Sequence, residues 1–313
     1  MSFKILQEKI NSKNNPSVMG LDPKLEFVPE HIISEVTKEF GKTKKAAGEA
    51  IFRFNKGLID ACHDLLPAVK PQSAYYEMYG LDGLSALYRT VEYAKSKDLY
   101  VIMDAKRSDI GATCEAYSAA YLGQSAIFGK SVKILDCDCL TVNPYLGIDG
   151  VKPFIDNCVK FDKSIFVLVK TSNESSGDFQ DIKIAEGGYL YEKAARSVIE
   201  WGQGIRGINC GDYKYNNIGA VVGATYPAQL KELRQMMKNT FFLVPGFGAQ
   251  GGAADDTKYA FDADGEGAIV NSSRAIICAH LKEPDSAASG PDFGIWARKE
   301  VIRMRDAINA VRK

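Results

Sequence analysis

Eight short and nearly uninterrupted apolar runs punctuate the chain, at residues 17–21, 66–70, 100–104, 140–143, 165–169, 218–222, 241–244 and 268–271. Runs of this length, without alternation of apolar and polar positions, predict strands buried on both faces, as in a parallel sheet covered by helices. The segments between them carry apolar residues at steps of three and four instead. Ala47, Ile51, Phe54, Leu58 and Cys62 form one such stripe, Leu84, Leu87, Val91 and Ala94 a second, and Val301, Met304, Ile308 and Val311 a third. Pro29 to Gly41 reads as a further short helix, with proline near its start and glycine just past its end.

Eight strands alternating with helices over roughly 250 residues is the arithmetic of a (β/α)8 TIM barrel, here with extra N-terminal helices. No linker, repeat or break in composition divides the chain, so residues 1–313 read as a single domain. Barrels of this kind place their chemistry at the C-terminal ends of the strands, and in this chain those ends are polar. In chain order they carry Asp22; Lys70 and Gln72; Asp104 and Lys106; Asn143; Lys170, Thr171 and Ser172; Pro245 and Gly246; and Ser272, Ser273 and Arg274. One such residue alone is an ordinary loop start, but the whole set points to a site.

Composition narrows the function. Hydrophobic residues make up 46% and charged residues 25% of the 313, and 39 basic side chains balance 39 acidic ones. That balance, with no basic cluster interleaved with aromatics, argues against a nucleic-acid partner. The N-terminal MSFKILQEKINSK lacks the continuous apolar core of a signal peptide, and runs such as SIFVLV are too short to span a bilayer. Seven cysteines, at 62, 114, 137, 139, 158, 210 and 278, are odd in number and scattered, several within apolar stretches. They read as reduced thiols in a cytoplasmic protein. The histidines His31, His63 and His280 have no paired spacing, and Cys137-x-Cys139 is not a zinc pattern, so no metal site is expected.

The loop Gly246-Phe247-Gly248-Ala249-Gln250-Gly251 fits G-x-G-x-x-G after an apolar strand, with Asp264 and Glu266 near the spacing of a ribose-binding acid. A dinucleotide fingerprint normally opens its domain, however, and too little chain follows this one. A phosphate site formed by the loops after the last two barrel strands uses the same residues better. Arg274 supplies a bidentate contact to such a phosphate, and Gln250 a side-chain donor.

The stretch Val101-Ile102-Met103-Asp104-Ala105-Lys106-Arg107-Ser108-Asp109 ends an apolar strand in a cluster of charge. Asp104 and Lys106, two apart along a strand, are expected on one face. Asp109 and Thr113 are expected to share a face of the following helix at i, i+4, and Lys70 ends the neighbouring strand. Alternating acids and lysines in a dry pocket hold one another ionised, which suits a reaction that removes one negative charge and develops another nearby.

With D-x-K-x-x-D at Asp104, Lys106 and Asp109 and a lysine at position 70, the chain closely resembles the orotidine 5′-phosphate decarboxylase family. The resemblance runs in order through GLDP (20–23), VKPQSAYYE (69–77), LTVNPYLG (140–147), VKTSN (169–173), VPGFGAQGG (244–252) and NSSRAI (271–276). It covers nearly the whole chain and looks most like the longer, bacterial-type branch.

The resemblance implies decarboxylation of orotidine 5′-monophosphate to uridine 5′-monophosphate in pyrimidine synthesis, with neither metal nor organic cofactor. It also implies roles. Asp22 and Lys70 would hold ribose hydroxyls, Asp104 would face the departing carboxylate, and Lys106 would stabilise charge at C6 and protonate it. Asp109 and Thr113 would reach into the neighbouring subunit's site in a homodimer. Ser172 would meet the pyrimidine, with Gln72 and Pro245 also lining the substrate, and Gln250 and Arg274 would grip phosphate. Residues 173–188, rich in glycine and polar side chains, read as a lid. Two rivals stay open: a magnesium-dependent sugar-phosphate decarboxylase or aldolase sharing D-x-K-x-x-D, and a nucleotide-binding regulator without catalysis.

Overall fold

A computed structural model describes residues 2–206, 213–247, 254–282 and 292–312. The strands, in chain order, are β1 Ser17–Leu21, β2 Ala68–Pro71, β3 Tyr100–Arg107, β4 Ser125–Ile127, β5 Lys130–Val132, β6 Cys139–Val142, β7 Ser164–Lys170, β8 Ile218–Val222, β9 Phe242–Val244 and β10 Ala268–Ser272. All but β4 and β5 close into a barrel in the order β1-β10-β9-β8-β7-β6-β3-β2, every pairing parallel. The uninterrupted apolar runs are thus strands covered on both faces: β1, β2, β6, β8, β9 and β10 are buried at every position.

The helical stripes face the barrel. Helix Lys44–Cys62 buries Ile51, Phe54, Leu58 and Cys62, while Ala47 is half-buried and Ala46 and Ala50 carry the contact beside it. Helix Gly80–Ser96 buries Leu87, Val91 and Ala94, and helix Phe293–Asn309 buries Val301, Met304 and Ile308 against helix Lys44–Cys62. The short helix Glu30–Phe40 starts after Pro29 and stops at Gly41, whose φ of 68° is left-handed and favours glycine. Among the described residues, no helix is long and apolar enough to cross a membrane.

Extra N-terminal helices are expected from the sequence, but neither the placement of the first one nor a hairpin is. Helix Ser2–Lys13 plugs the N-terminal end of the barrel. Its Phe3, Leu6 and Ile10, spaced three and four apart, are fully buried among Val18, Tyr100, Phe166 and Phe241. At the opposite end the described residues line a cavity. The hairpin is the antiparallel pair β4–β5, turned by Phe128 and Gly129, both at positive φ. Each strand has three residues, too few to show a period.

Candidate active site

The site begins at a kink in β3. Against β6 the register slips between Met103 and Arg107, and Lys106 sits at a φ of 47°, a left-handed backbone conformation that non-glycine residues rarely adopt. The Thr141 side chain on β6 holds this bulge. Its hydroxyl accepts from the backbone N–H of Ala105 (3.1 Å) and of Lys106 (2.9 Å), and donates to Asp104 Oδ1 at 3.0 Å. Asp104 and Lys106 meet as expected, but across a bulge rather than by simple strand alternation.

The Asp104 carboxylate is shared between two ammonium groups. Lys106 Nζ donates to Oδ1 at 2.7 Å and Lys70 Nζ to Oδ2 at 2.6 Å. Asp104 and Lys70 are buried, whereas Lys106 is partly exposed toward the mouth. Burial works to raise the Asp104 pKa, but the charges of Lys70 and Lys106 outweigh it and hold the carboxyl far below the usual range. Burial likewise works to lower the Lys70 pKa, and Asp104 and Asp22 together raise it above its ordinary value. Both groups are therefore charged at neutral pH.

Around this triad opens a cavity of about 520 Å³. Asp22, Gln72 and Ser172 line it, as do Pro245, Phe247 and Arg274 from the loops after β9 and β10. Asp22 Oδ1 is buried with no hydrogen-bond partner among the described residues. Gly20, in GLDP, lets the rim close up: a Cβ there would lie 1.9 Å from Ser273 Oγ. Gln250 and the rest of the glycine loop beyond Phe247 lie outside the described residues.

Asp109 and Thr113 do not line the cavity, and they do not share a helix face. The helix runs Gly111–Tyr121, after an extended Ile110 whose N–H is capped by Asp109 Oδ1 at 2.8 Å. Asp109 therefore stands before the helix, and Thr113 is exposed in its first turn. Asp109 and Thr113 are thus not an i, i+4 pair on one helix, because the side chain of Asp109 caps the turn instead of continuing the helix.

Sequence reasoning passed over Thr141, Asn173, Gln180 and Asn271, all of which line the cavity. Thr141 and Asn271 carried a usable signal, being polar residues inside or at the end of otherwise apolar strands. Gln180 falls within the 173–188 segment expected as a lid, with no contact assigned to it, and it reaches the site from the short helix Gly177–Gln180. That segment is tied back to β7 by Lys170, whose Nζ donates to Asp181 Oδ1 at 2.7 Å.

Comparison with known proteins agrees with the geometry. The sequence profile of the orotidine 5′-phosphate decarboxylase / HUMPS family matches residues 53–289. A protein of Rhodopirellula baltica named orotidine 5′-phosphate decarboxylase is 45% identical over 293 residues, 93% of each chain. One of Caldicellulosiruptor saccharolyticus with the same name is 44% identical over 280 residues, 88% of each. Among solved structures, Leishmania donovani OMP decarboxylase superposes with a TM-score of 0.72 at 29% identity, over 99% of this chain and 98% of that one. A closed parallel barrel whose third strand ends in Asp-x-Lys, with these relatives along most of its length, places the chain in the orotidine 5′-phosphate decarboxylase family.

Proposed function

We propose that the family's reaction, orotidine 5′-monophosphate to uridine 5′-monophosphate and carbon dioxide, runs in this chain at the Lys70–Asp104–Lys106 cluster. The observation that carries the reading is the Asp104 carboxylate held ionised between two ammonium groups at the barrel mouth. With the substrate's C6 carboxylate placed beside Asp104, two anions face each other in the ground state, and the repulsion vanishes as neutral carbon dioxide leaves. The C–C bond breaks with its electron pair left on C6. The Lys106 ammonium stabilises that pair more than it stabilises the bound substrate, then transfers a proton to C6. Lys70 keeps Asp104 charged and, with Asp22, meets the ribose hydroxyls. Asp22 lines the cavity, where its carboxylate can accept from a hydroxyl. Ser172 faces the base with Gln72 and Pro245 beside it, and Arg274 with Gln250 takes the phosphate.

The roles extend beyond one chain. Asp109 and Thr113 follow the C-terminal end of β3 without lining the cavity, and we infer a homodimer in which they serve the neighbouring copy's site. We infer that residues 1–313 form one catalytic domain, because β1 pairs with β10 and helix Phe293–Asn309 packs on helix Lys44–Cys62. Free thiols at Cys62, Cys114, Cys137, Cys139, Cys158 and Cys278 support a reducing, cytoplasmic setting.

A metal-dependent mechanism in the same site is disfavoured by the donors present. Both oxygens of Asp104 are already engaged by ammonium groups, and position 70 offers a lysine where a metal would need another acid. An ultraviolet assay tests the reading: the orotidine nucleotide's absorbance should disappear at an undiminished rate in EDTA. Loss of activity in EDTA, restored by magnesium, would favour the metal-dependent alternative.

A further inference from the structure

Thr171, Asn173 and Gln180 line the cavity beside Ser172 and are joined by a chain of hydrogen bonds whose direction can be worked out from one end. The backbone N–H of Thr171 can only donate, and it does so to Gln180 Oε1 at 2.9 Å. The carboxamide of Gln180 is thereby oriented, and its Nε2 donates to Thr171 Oγ1 at 2.7 Å. The Thr171 hydroxyl in turn donates to Asn173 Oδ1, which can only accept, at 2.6 Å. Of the Asn173 carboxamide, the Nδ2 group is what remains to offer a ligand.

The turn that carries this chain is pinned at both flanks. The fully buried Lys170 binds Asp181, next to Gln180, and its ammonium lies 4.6 Å from the Tyr226 ring centre. The Tyr226 hydroxyl contacts the carbonyls of Asn173 and Glu174, each at 3.2 Å. Asn173 is thus held in one place and in one polarity, which is what a group that reads a ligand needs.

We propose that Asn173 is a substrate-binding residue that donates from Nδ2 to an acceptor oxygen of the bound nucleotide, and that Gln180 and Thr171 are positioning residues that set the polarity of its amide. The proposal rests on the decarboxylase reading for the identity of the ligand. The acceptor is a ring carbonyl or a phosphate oxygen, and two ligands separate them. An amide held as a donor also rejects a ligand that presents an N–H at the same point, since two donors would then face each other unsatisfied.

The test measures dissociation constants for uridine 5′-monophosphate and for uridine, with KM and kcat for the orotidine nucleotide, in wild type and variants. Asn173→Ala should weaken uridine 5′-monophosphate binding roughly tenfold, the worth of one hydrogen bond to a buried acceptor. It should raise KM more than it lowers kcat. Thr171→Val, which keeps the shape but breaks the chain, should weaken binding in the same direction, and Thr171→Ser should restore it. The double variant should bind no more weakly than Asn173→Ala alone, because both act through one contact. An equal fold-loss with uridine assigns the contact to the base, and a loss confined to the monophosphate assigns it to phosphate. Unchanged affinity in Asn173→Ala, or losses that multiply in the double variant, would overturn the proposal. Wild-type protein that fails to turn over the orotidine nucleotide would refute the decarboxylase reading instead, whatever the variants bind.

Discussion

Asp104 concentrates the electrostatics of the site in one side chain. Its burial disfavours charge, yet Lys70 and Lys106 hold it ionised, so its folded pKa lies below the unfolded value of about 3.9. A depressed carboxyl contributes stability that is fully present above the unfolded pKa and is lost as pH falls toward the folded value. Asp104→Asn leaves the buried Lys70 ammonium without its main counter-charge and should destabilise the fold by on the order of 3 kcal/mol at neutral pH. Denaturant titrations of both proteins should show that gap intact at pH 7 and shrinking below pH ~4. A gap independent of pH would mean that the carboxylate's charge is not what holds the pair. Lys70 runs the opposite way: with its pKa raised, its share of stability is present at neutral pH and lost only as alkaline pH passes the folded value.

Among the elements, the loops after β9 and β10 carry phosphate recognition in this reading, with Arg274 opening the short helix Arg274–Ile277 at the cavity edge. Arg274→Ala should cost on the order of 2–4 kcal/mol of transition-state stabilisation through one lost charge-assisted contact. Comparing kcat/KM for the nucleotide and for a truncated substrate without phosphate checks the assignment: equal losses on both would contradict it. Elements were also where legibility in the sequence divided. The barrel strands could be read because nearly all their positions are buried on both faces, so the runs of Val, Ile and Leu mark where they lie. The β3 bulge could not, since Lys106 enters a left-handed conformation under the hold of Thr141, more than thirty residues away. The position of the Ser2–Lys13 plug escaped notice because its buried apolar residues Phe3, Leu6 and Ile10 are interspersed with exposed polar ones such as Lys4, Glu8 and Asn11. Asp104, Lys106 and Lys70 were visible as charges at the ends of apolar strands, and Asp22 and Arg274 likewise. Gln180 depends on the fold of its own segment back onto β7, which no local pattern announces.

For the whole molecule, the arrangement of Asp109 and Thr113 outside their own cavity leads to a prediction about assembly. Mixing inactive Lys106→Ala and Asp109→Ala chains under conditions of subunit exchange should recover part of the activity. Some dimers then contain one site built from an intact Lys106 and an intact Asp109. A mixture that exchanges subunits yet stays inactive would exclude shared sites.

Lys106 carries the central claim, that a fixed ammonium beside Asp104 both stabilises the electron pair at C6 and delivers the proton. Arginine would keep the charge but surrender a proton far less readily, so Lys106→Arg should fail along with Lys106→Ala. The most direct measurement is single-turnover decarboxylation by Lys106→Ala, with its fold checked by circular dichroism and its site by uridine 5′-monophosphate binding. A folded protein that still binds the nucleotide and decarboxylates it at least ~10⁴-fold more slowly is the predicted result. A near-normal rate in that variant would contradict the role assigned to Lys106.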